Sequence, residues 1–169
     1  RFLFVGEGAE KSKLQETVAE RGLKNVLFLS AQPKEKIPDF YAASDACLVP
    51  LKKLDIFRKV LPSKMFEIMA CARPVILSVD GEARRLIEKA ESGLCIEPES
   101  TEALVEAVQA LASDPERARR LGENGCAYVG KHYSRGMLAE RYTQMLSELL
   151  SKQRSHPASP HPVRLPPRN

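Results

Sequence analysis

Short apolar runs alternate with longer amphipathic stretches through the first hundred residues of this chain. Phe2-Leu3-Phe4-Val5 is a continuous apolar run closed by Gly6-Glu7-Gly8, the pattern of a strand buried on both faces and followed by a tight turn. Residues 9–21 place Leu14 and Val18 one helical turn apart, and Gly22 stops that helix. Residues 26–29 form a second apolar strand. Residues 34–43 form a short helix presenting Ile37, Phe40 and Tyr41, and residues 46–49 form a third strand ended by Pro50. Residues 52–61 lack a clean period and read as loop or a short helical turn. Residues 63–72 are helical with Met65, Phe66 and Met69 on one face, and Arg73-Pro74 ends the helix because proline pushes the preceding residue out of the helical region. A short buried strand at 75–77, a helix from Gly81-Glu82 to Ala90 and a last strand at 94–96 complete the alternation.

After Pro98 only helices are expected. Ser100 caps one through Ala112 with Leu104, Val108 and Leu111 on one face, and Asp114-Pro115 starts another that runs to about Val129. A last helix spans residues 135–150 with Leu138, Tyr142, Met145 and Leu149 on its apolar side. From Ser151 onward the sequence is rich in Ser, His, Pro and Arg, and a disordered tail is expected over 151–169. Short buried strands alternating with helices predict an α/β fold: a Rossmann-like parallel sheet covered by helices on both faces. Such sheets bind ligands beyond the carboxyl ends of their strands, so the site is expected near Gly6–Gly8, Leu29-Ser30, Pro50 and the turn after Ser78.

Composition narrows the function classes. A chain of 169 residues holds one domain of ordinary size, here residues 1–150. Arg1 leads straight into the first strand, and the sequence reads as a piece of a longer protein. The net charge of +4 is modest, much of it sits in the tail at Lys152, Arg154, Arg164 and Arg168, and aromatic residues make up only 6%. Nucleic-acid binding is therefore not expected. Cys47, Cys71, Cys95 and Cys126 lack CxxC spacing and read as buried free thiols of a reducing compartment. His156 and His161 lie in the Pro-rich tail without the fixed geometry of a metal site, and no metal or redox cofactor is expected.

Three segments carry candidate chemistry. Gly6-x-Gly8 after a strand lets a ligand approach the backbone closely, but Lys11 occupies the position of the third glycine of a dinucleotide fingerprint, so an NAD site is not expected. Pro62-Ser63-Lys64 at a helix start offers backbone N–H groups, a hydroxyl and an ammonium to a diphosphate; the structural reading of the same residues is a solvated helix cap. Glu67, one turn further in, can accept two hydroxyl hydrogen bonds from a ribose or sugar, or pair with Lys64 or Arg73.

With these residues in place, the chain resembles the carboxyl-terminal, donor-binding domain of a GT-B fold, family 4 (group 1) retaining glycosyltransferase. The resemblance runs from about residue 1 to 150. It is carried, in order, by Phe4-Val5-Gly6-Glu7-Gly8, Val26-Leu27-Phe28-Leu29-Ser30, Tyr41-Ala42-Ala43-Ser44-Asp45-Ala46, the block from Pro62 to Ser78, and Gly81-Glu82. It implies that Glu67 holds the ribose of a nucleoside diphosphate sugar, that Leu29 and Ser30 lie beside the base, and that the turn Leu61-Pro62-Ser63-Lys64 binds the diphosphate, its N–H donors coming from the residues around Pro62. A second family glutamate, eight positions before Glu67, contacts the donor sugar; here Lys59 stands in its place and Val60 replaces the neighbouring glycine.

The resemblance further implies transfer from a UDP-sugar to an acceptor hydroxyl of a saccharide or lipid-linked saccharide, with retention, in bacterial polysaccharide biosynthesis. It implies a missing amino-terminal acceptor-binding domain, an inactive isolated domain, and a cytoplasmic enzyme whose membrane association, where it exists, is peripheral. A GT-B sugar-nucleotide epimerase domain and a noncatalytic nucleotide- or sugar-binding scaffold are the two alternatives. His132, the one histidine before the tail, reads as a surface or packing residue rather than as support for the epimerase.

Overall fold

The computed structural model describes residues 1–155 and divides into two compact units, Arg1–Ala127 and the residues from Tyr128 on. In the first unit the elements are β1 (Phe2–Val5), α1 (Lys11–Glu20), β2 (Val26–Leu29), a 3-10 turn (Lys34–Lys36), α2 (Ile37–Ala42), β3 (Cys47–Pro50), a second 3-10 turn (Asp55–Lys59), α3 (Ser63–Ala70), β4 (Val75–Ser78), α4 (Glu82–Ala90), β5 (Gly93–Cys95) and α5 (Thr101–Ser113). α6 (Pro115–Tyr133) begins in the first unit and ends in the second, which holds α7 (Arg135–Ser155). All strand pairs are parallel.

The alternation expected from the sequence is present, but β1, expected to be buried on both faces, has Phe2, Leu3 and Phe4 exposed, since too little of the described chain packs on it, and the sheet architecture also changes. Instead of one sheet there are two: β1 pairs with β2, and a separate sheet runs β3-β4-β5 with β4 in the middle. Among the described residues no ladder joins β1 to β3, so each keeps an unpaired edge. Two helices also run further than expected. α6 continues past Val129 to Tyr133, and α7 past Leu150 to Ser155, so residues 151–155 are helical; the rest of the expected tail, with His156 and His161, lies outside the described residues. His132 packs its ring on Tyr128, centroids 4.7 Å apart.

The core of the first unit is built on β4. Its side chains alternate between faces. Ile76 joins Ile96, Ala107 and Leu111 in one cluster, while Val75 and Leu77 are fully buried at the opposite parity. From α3 the buried residues are Met65, Ile68 and Met69; Ile68 takes the place expected of Phe66, because Phe66 is only partly buried. α4 contributes Ala83, Leu86, Ile87 and Ala90. Ser100 caps α5 by accepting from the Ala103 N–H at 3.1 Å, and Asp114 Oδ1 accepts from the Arg117 N–H at 2.8 Å at the start of α6.

The chain leaves α3 through a left-handed residue, Ala72 at φ 53°, an uncommon conformation for a residue with a Cβ. α6 packs on that corner. A Cβ on Gly122 would lie 2.1 Å from the Ala72 carbonyl oxygen, so only glycine permits this approach. Cys47, Cys71, Cys95 and Cys126 are free thiols, the first three partly buried and Cys126 exposed. Burial pushes the Cys95 thiol up to about 11 and raises Cys47 and Cys71 as well, which keeps all three protonated. Among the described residues no helix is long and apolar enough to cross a membrane.

Candidate functional site

The carboxyl ends of the strands carry two groups of candidate residues. The first is the turn after β1 with the end of β2. The Gly6 N–H donates to the Leu29 carbonyl at 3.1 Å, which brings Gly6 and Gly8 alongside Leu29 and Ser30. Gly6 sits at φ 130°, a conformation closed to most other residues.

Lys11, the residue in place of the third glycine, folds back over this turn. Its ammonium donates to the Gly6 carbonyl at 3.0 Å, Glu7 Oε1 at 2.8 Å and the Leu29 carbonyl at 3.3 Å. Lys11 thus ties the two strand ends together where the dinucleotide fingerprint would leave open space. The Lys11 hydrogen bond holds the Glu7 carboxyl below the usual range, with smaller help from the Ala31 N–H and the Ser30 hydroxyl. Nothing in the Gly6-x-Gly8 pattern announced this contact; the signal was the lysine itself, at the start of the following helix.

The second group lies along the 3-10 turn and α3. Lys59, exposed, closes the turn, and Val60 and Leu61 lead to Pro62, which is buried. Pro62 is the residue before the helix, with φ −62° and ψ 124°, and no side chain caps α3. Ser63 therefore is not the cap that the sequence allowed as its structural role; it is the first helical residue. The Met65 N–H turns back to the Pro62 carbonyl at 3.0 Å, while among the described residues the N–H groups of Ser63 and Lys64 have no backbone partner. They face outward at the positive end of the helix dipole. The turn is held in place by close packing on α4: a Cβ on Gly81 would lie 2.0 Å from the Arg58 carbonyl oxygen.

Glu67 is exposed on α3, one turn beyond Ser63 and Lys64. Its ion pair with Lys64 or Arg73 does not form among the described residues. Its carboxylate instead accepts from the Tyr41 hydroxyl of α2 at 3.5 Å. In the sequence Tyr41 reads only as part of a motif and as an apolar position of a helix. The hydroxyl on an otherwise inward-facing ring was the available hint. Arg73 is used elsewhere, donating from Nη2 to the Ala42 carbonyl at the end of α2. A recess of about 350 Å³, lined by Leu48, Pro50, Leu51, Ser78, Ile96 and Leu104 among others, takes in Pro50 and Ser78 at the expected strand ends but none of the residues of the two groups above.

Chemically, the second group offers two unpaired backbone donors and an ammonium to an anion, with an oriented carboxylate one turn away for hydroxyl groups. The first group offers exposed backbone at the end of β2.

The family model for glycosyl transferases group 1 matches residues 1–128. The chain is 30% identical over 159 residues to the D-inositol 3-phosphate glycosyltransferase of Nocardia farcinica, an alignment covering 88% of this chain and 34% of that protein. It is 29% identical over 150 residues to the GDP-mannose-dependent monoacylated alpha-(1-6)-phosphatidylinositol monomannoside mannosyltransferase of Corynebacterium glutamicum, covering 86% and 38%. Among solved structures, sucrose-phosphate synthase from Thermosynechococcus elongatus superposes with a TM-score of 0.75 at 29% identity, over 89% of this chain and 38% of that one. Anabaena HepE, solved with UDP-glucose, superposes with a TM-score of 0.72 at 21% identity, over 86% and 40%. This chain therefore spans about a third of the length of the curated relatives it matches. With two parallel sheets flanked by helices, a glycine turn after the first strand and the α3 block in the expected order, the chain belongs to the glycosyl transferases group 1 family and has the fold of the carboxyl-terminal half of a GT-B enzyme.

Proposed function

We propose that this chain is the nucleotide-sugar-binding domain of a glycosyltransferase that moves a sugar from a nucleoside diphosphate donor to an acceptor hydroxyl with retention. The observation that carries the reading is the uncapped start of α3, where the Ser63 and Lys64 N–H groups have no backbone partner among the described residues, one turn before Glu67. The diphosphate meets the helix start, and the ribose hydroxyls donate to Glu67. Leu29 and Ser30 offer backbone groups to the base, and Gly6 and Gly8 let the ligand approach.

As the glycosidic bond to the diphosphate breaks, negative charge grows on the departing phosphate oxygen. Preorganised N–H donors and the Lys64 ammonium stabilise that charge more in the transition state than in the ground state. Lys59, where the family resemblance implies a glutamate, points the donor preference toward a sugar with an acidic group, or adds a further cation beside the diphosphate. A uridine donor is the favoured base, supported by the UDP-glucose complex of the similarly folded HepE.

The rest of the enzyme supplies the acceptor site, a saccharide or lipid-linked saccharide being the acceptor class. Apolar strand residues Phe2, Leu3 and Phe4 stand more than 40% exposed, which fits a further part of the polypeptide packing on β1. Catalysis in this reading needs closure of a cleft between that part and this domain.

Calorimetric titration with UDP, GDP and ADP, beginning at millimolar ligand, tests the assignment. Selective binding of one nucleotide, weakened in Lys64→Ala and Glu67→Ala, is the expected result. Equal weak binding of all three, unaffected by either substitution, would remove the donor site from α3.

A further inference from the structure

The contact between Tyr41 and Glu67 joins two helices that the sequence treats as separate. Tyr41 is half-buried near the end of α2, and its hydroxyl lies 3.5 Å from Glu67 Oε2. Two other bonds place the ring. Arg73 donates to the carbonyl of Ala42, the very next residue, and the Ser44 hydroxyl donates to the Phe40 carbonyl at 2.7 Å. The end of α2 is thereby fixed to the corner that follows α3, and the phenol is carried to the carboxylate by backbone that has little freedom to move away.

The chemistry of the pair is specific. A phenol is a neutral donor, so it orients a carboxylate without neutralising it, which a lysine or arginine would do. Burial first, and the Glu67 charge second, raise the Tyr41 hydroxyl above its ordinary value, so the proton stays on the phenol at neutral pH and the group remains a donor. A carboxylate accepts about four hydrogen bonds in its plane. With one position on Oε2 taken by Tyr41, the remaining ones are held in a fixed direction, ready for two adjacent hydroxyl groups. At 3.5 Å the contact is longer than an ordinary O–H···O hydrogen bond, and such contacts shorten when a ligand draws the carboxylate into place.

We propose that Tyr41 is a positioning residue for ribose: its hydroxyl orients the Glu67 carboxylate toward the vicinal diol of the nucleotide and so sets discrimination between ribose and deoxyribose donors. The inference rests on the reading of Glu67 as the ribose-holding group. Tyr41 itself need not touch the nucleotide.

Titrations of wild type, Tyr41→Phe and Glu67→Gln with UDP and 3′-deoxy-UDP separate the two. Wild type is expected to bind UDP about tenfold more tightly than the deoxy analogue, the worth of one hydrogen bond to a charged group. In Tyr41→Phe the ring and its packing remain, UDP binding weakens about three- to tenfold, and the ribose preference shrinks toward unity. A Tyr41→Phe protein that keeps the full preference overturns the proposal and leaves Glu67 as the ribose contact, provided Glu67→Gln loses it. A Glu67→Gln protein that keeps the preference, or a wild type that binds no nucleotide, overturns the reading of Glu67 and the proposal with it. Circular dichroism and thermal melting of both variants, expected to match wild type, exclude misfolding as the cause.

Discussion

The β1-β2 half and the β3-β4-β5 half of this domain are built from similar residues and end in different physical states. Phe2, Leu3 and Phe4 in β1 and Leu27 in β2 are 43 to 49% exposed, and neither β1, α1 nor β2 contains a fully buried residue. In the other half Val49, Val75 and Leu77 are at 0% and Ile76 at 3%. The glycines divide the same way. A Cβ on Gly8 would meet nothing within 4 Å, whereas one on Gly93 would lie 1.9 Å from the Val75 carbonyl oxygen. An apolar run is enough to form a strand; burying it needs a second layer, which α3, α4 and α5 supply to β4.

The contrast can be broken by substitution, and the largest effects fall in the packed half. Leu77→Ala is expected to cost about 3 to 4 kcal/mol in denaturant unfolding, through lost burial and the cavity left behind. Leu3→Ala, with its side chain already partly in water, is expected to cost about 1 kcal/mol or less. Gly93→Ala should lose about 3 kcal/mol, since the new methyl meets backbone that cannot swing aside. Gly8→Ala should change stability by less than about 0.5 kcal/mol. If Gly8→Ala nevertheless weakens nucleotide binding, the exposed half takes part in the donor site; unchanged affinity would confine the site to α3.

Smaller effects sharpen the same division. Glu67→Ala is expected to reduce nucleotide affinity about tenfold with the melting temperature preserved, because Glu67 is exposed on a helix whose other face holds the core. Lys64→Ala should weaken UDP several-fold more than uridine, about what one exposed charge contributes near a diphosphate.

A further effect is one of pH. The Cys95 thiol stands at about 11 in the folded domain against an ordinary 9.0, so the folded state holds its proton more tightly. The stabilisation is complete below pH 9 and is lost as pH rises toward 11. Unfolding curves across that window should show a decline that Cys95→Ala flattens; an equal decline in both proteins would assign it to other groups.

Much of this organisation was legible along the chain. The five strands, the helix starts at Ser100 and Asp114-Pro115, and the uninterrupted α3 block follow from apolar periodicity and capping chemistry, which are local. Membership of the glycosyltransferase family was legible in the order of five short segments. Less visible were the bonds that span distance in sequence. The Lys11 ammonium over the Gly6 turn, Tyr41 on Glu67 and Arg73 on Ala42 link residues whose types permit many partners, and only the packing of helices selects one. Of the two readings open for Pro62-Ser63-Lys64, the cap fails for the related reason that a serine after a proline has the composition of a cap, while the backbone places it one residue too late to act as one.

The sequence by itself determined which segments become strands and helices, and which types of donor and acceptor stand at the strand ends, because these depend on side-chain periodicity and local backbone preference. Tertiary structure alone decided that the strands form two sheets, that Ile68 rather than Phe66 enters the core, and that Glu67 is held by a tyrosine instead of a cation. Those outcomes depend on which surfaces meet, and burial and hydrogen-bond partnership are properties of the meeting surfaces, not of either segment alone.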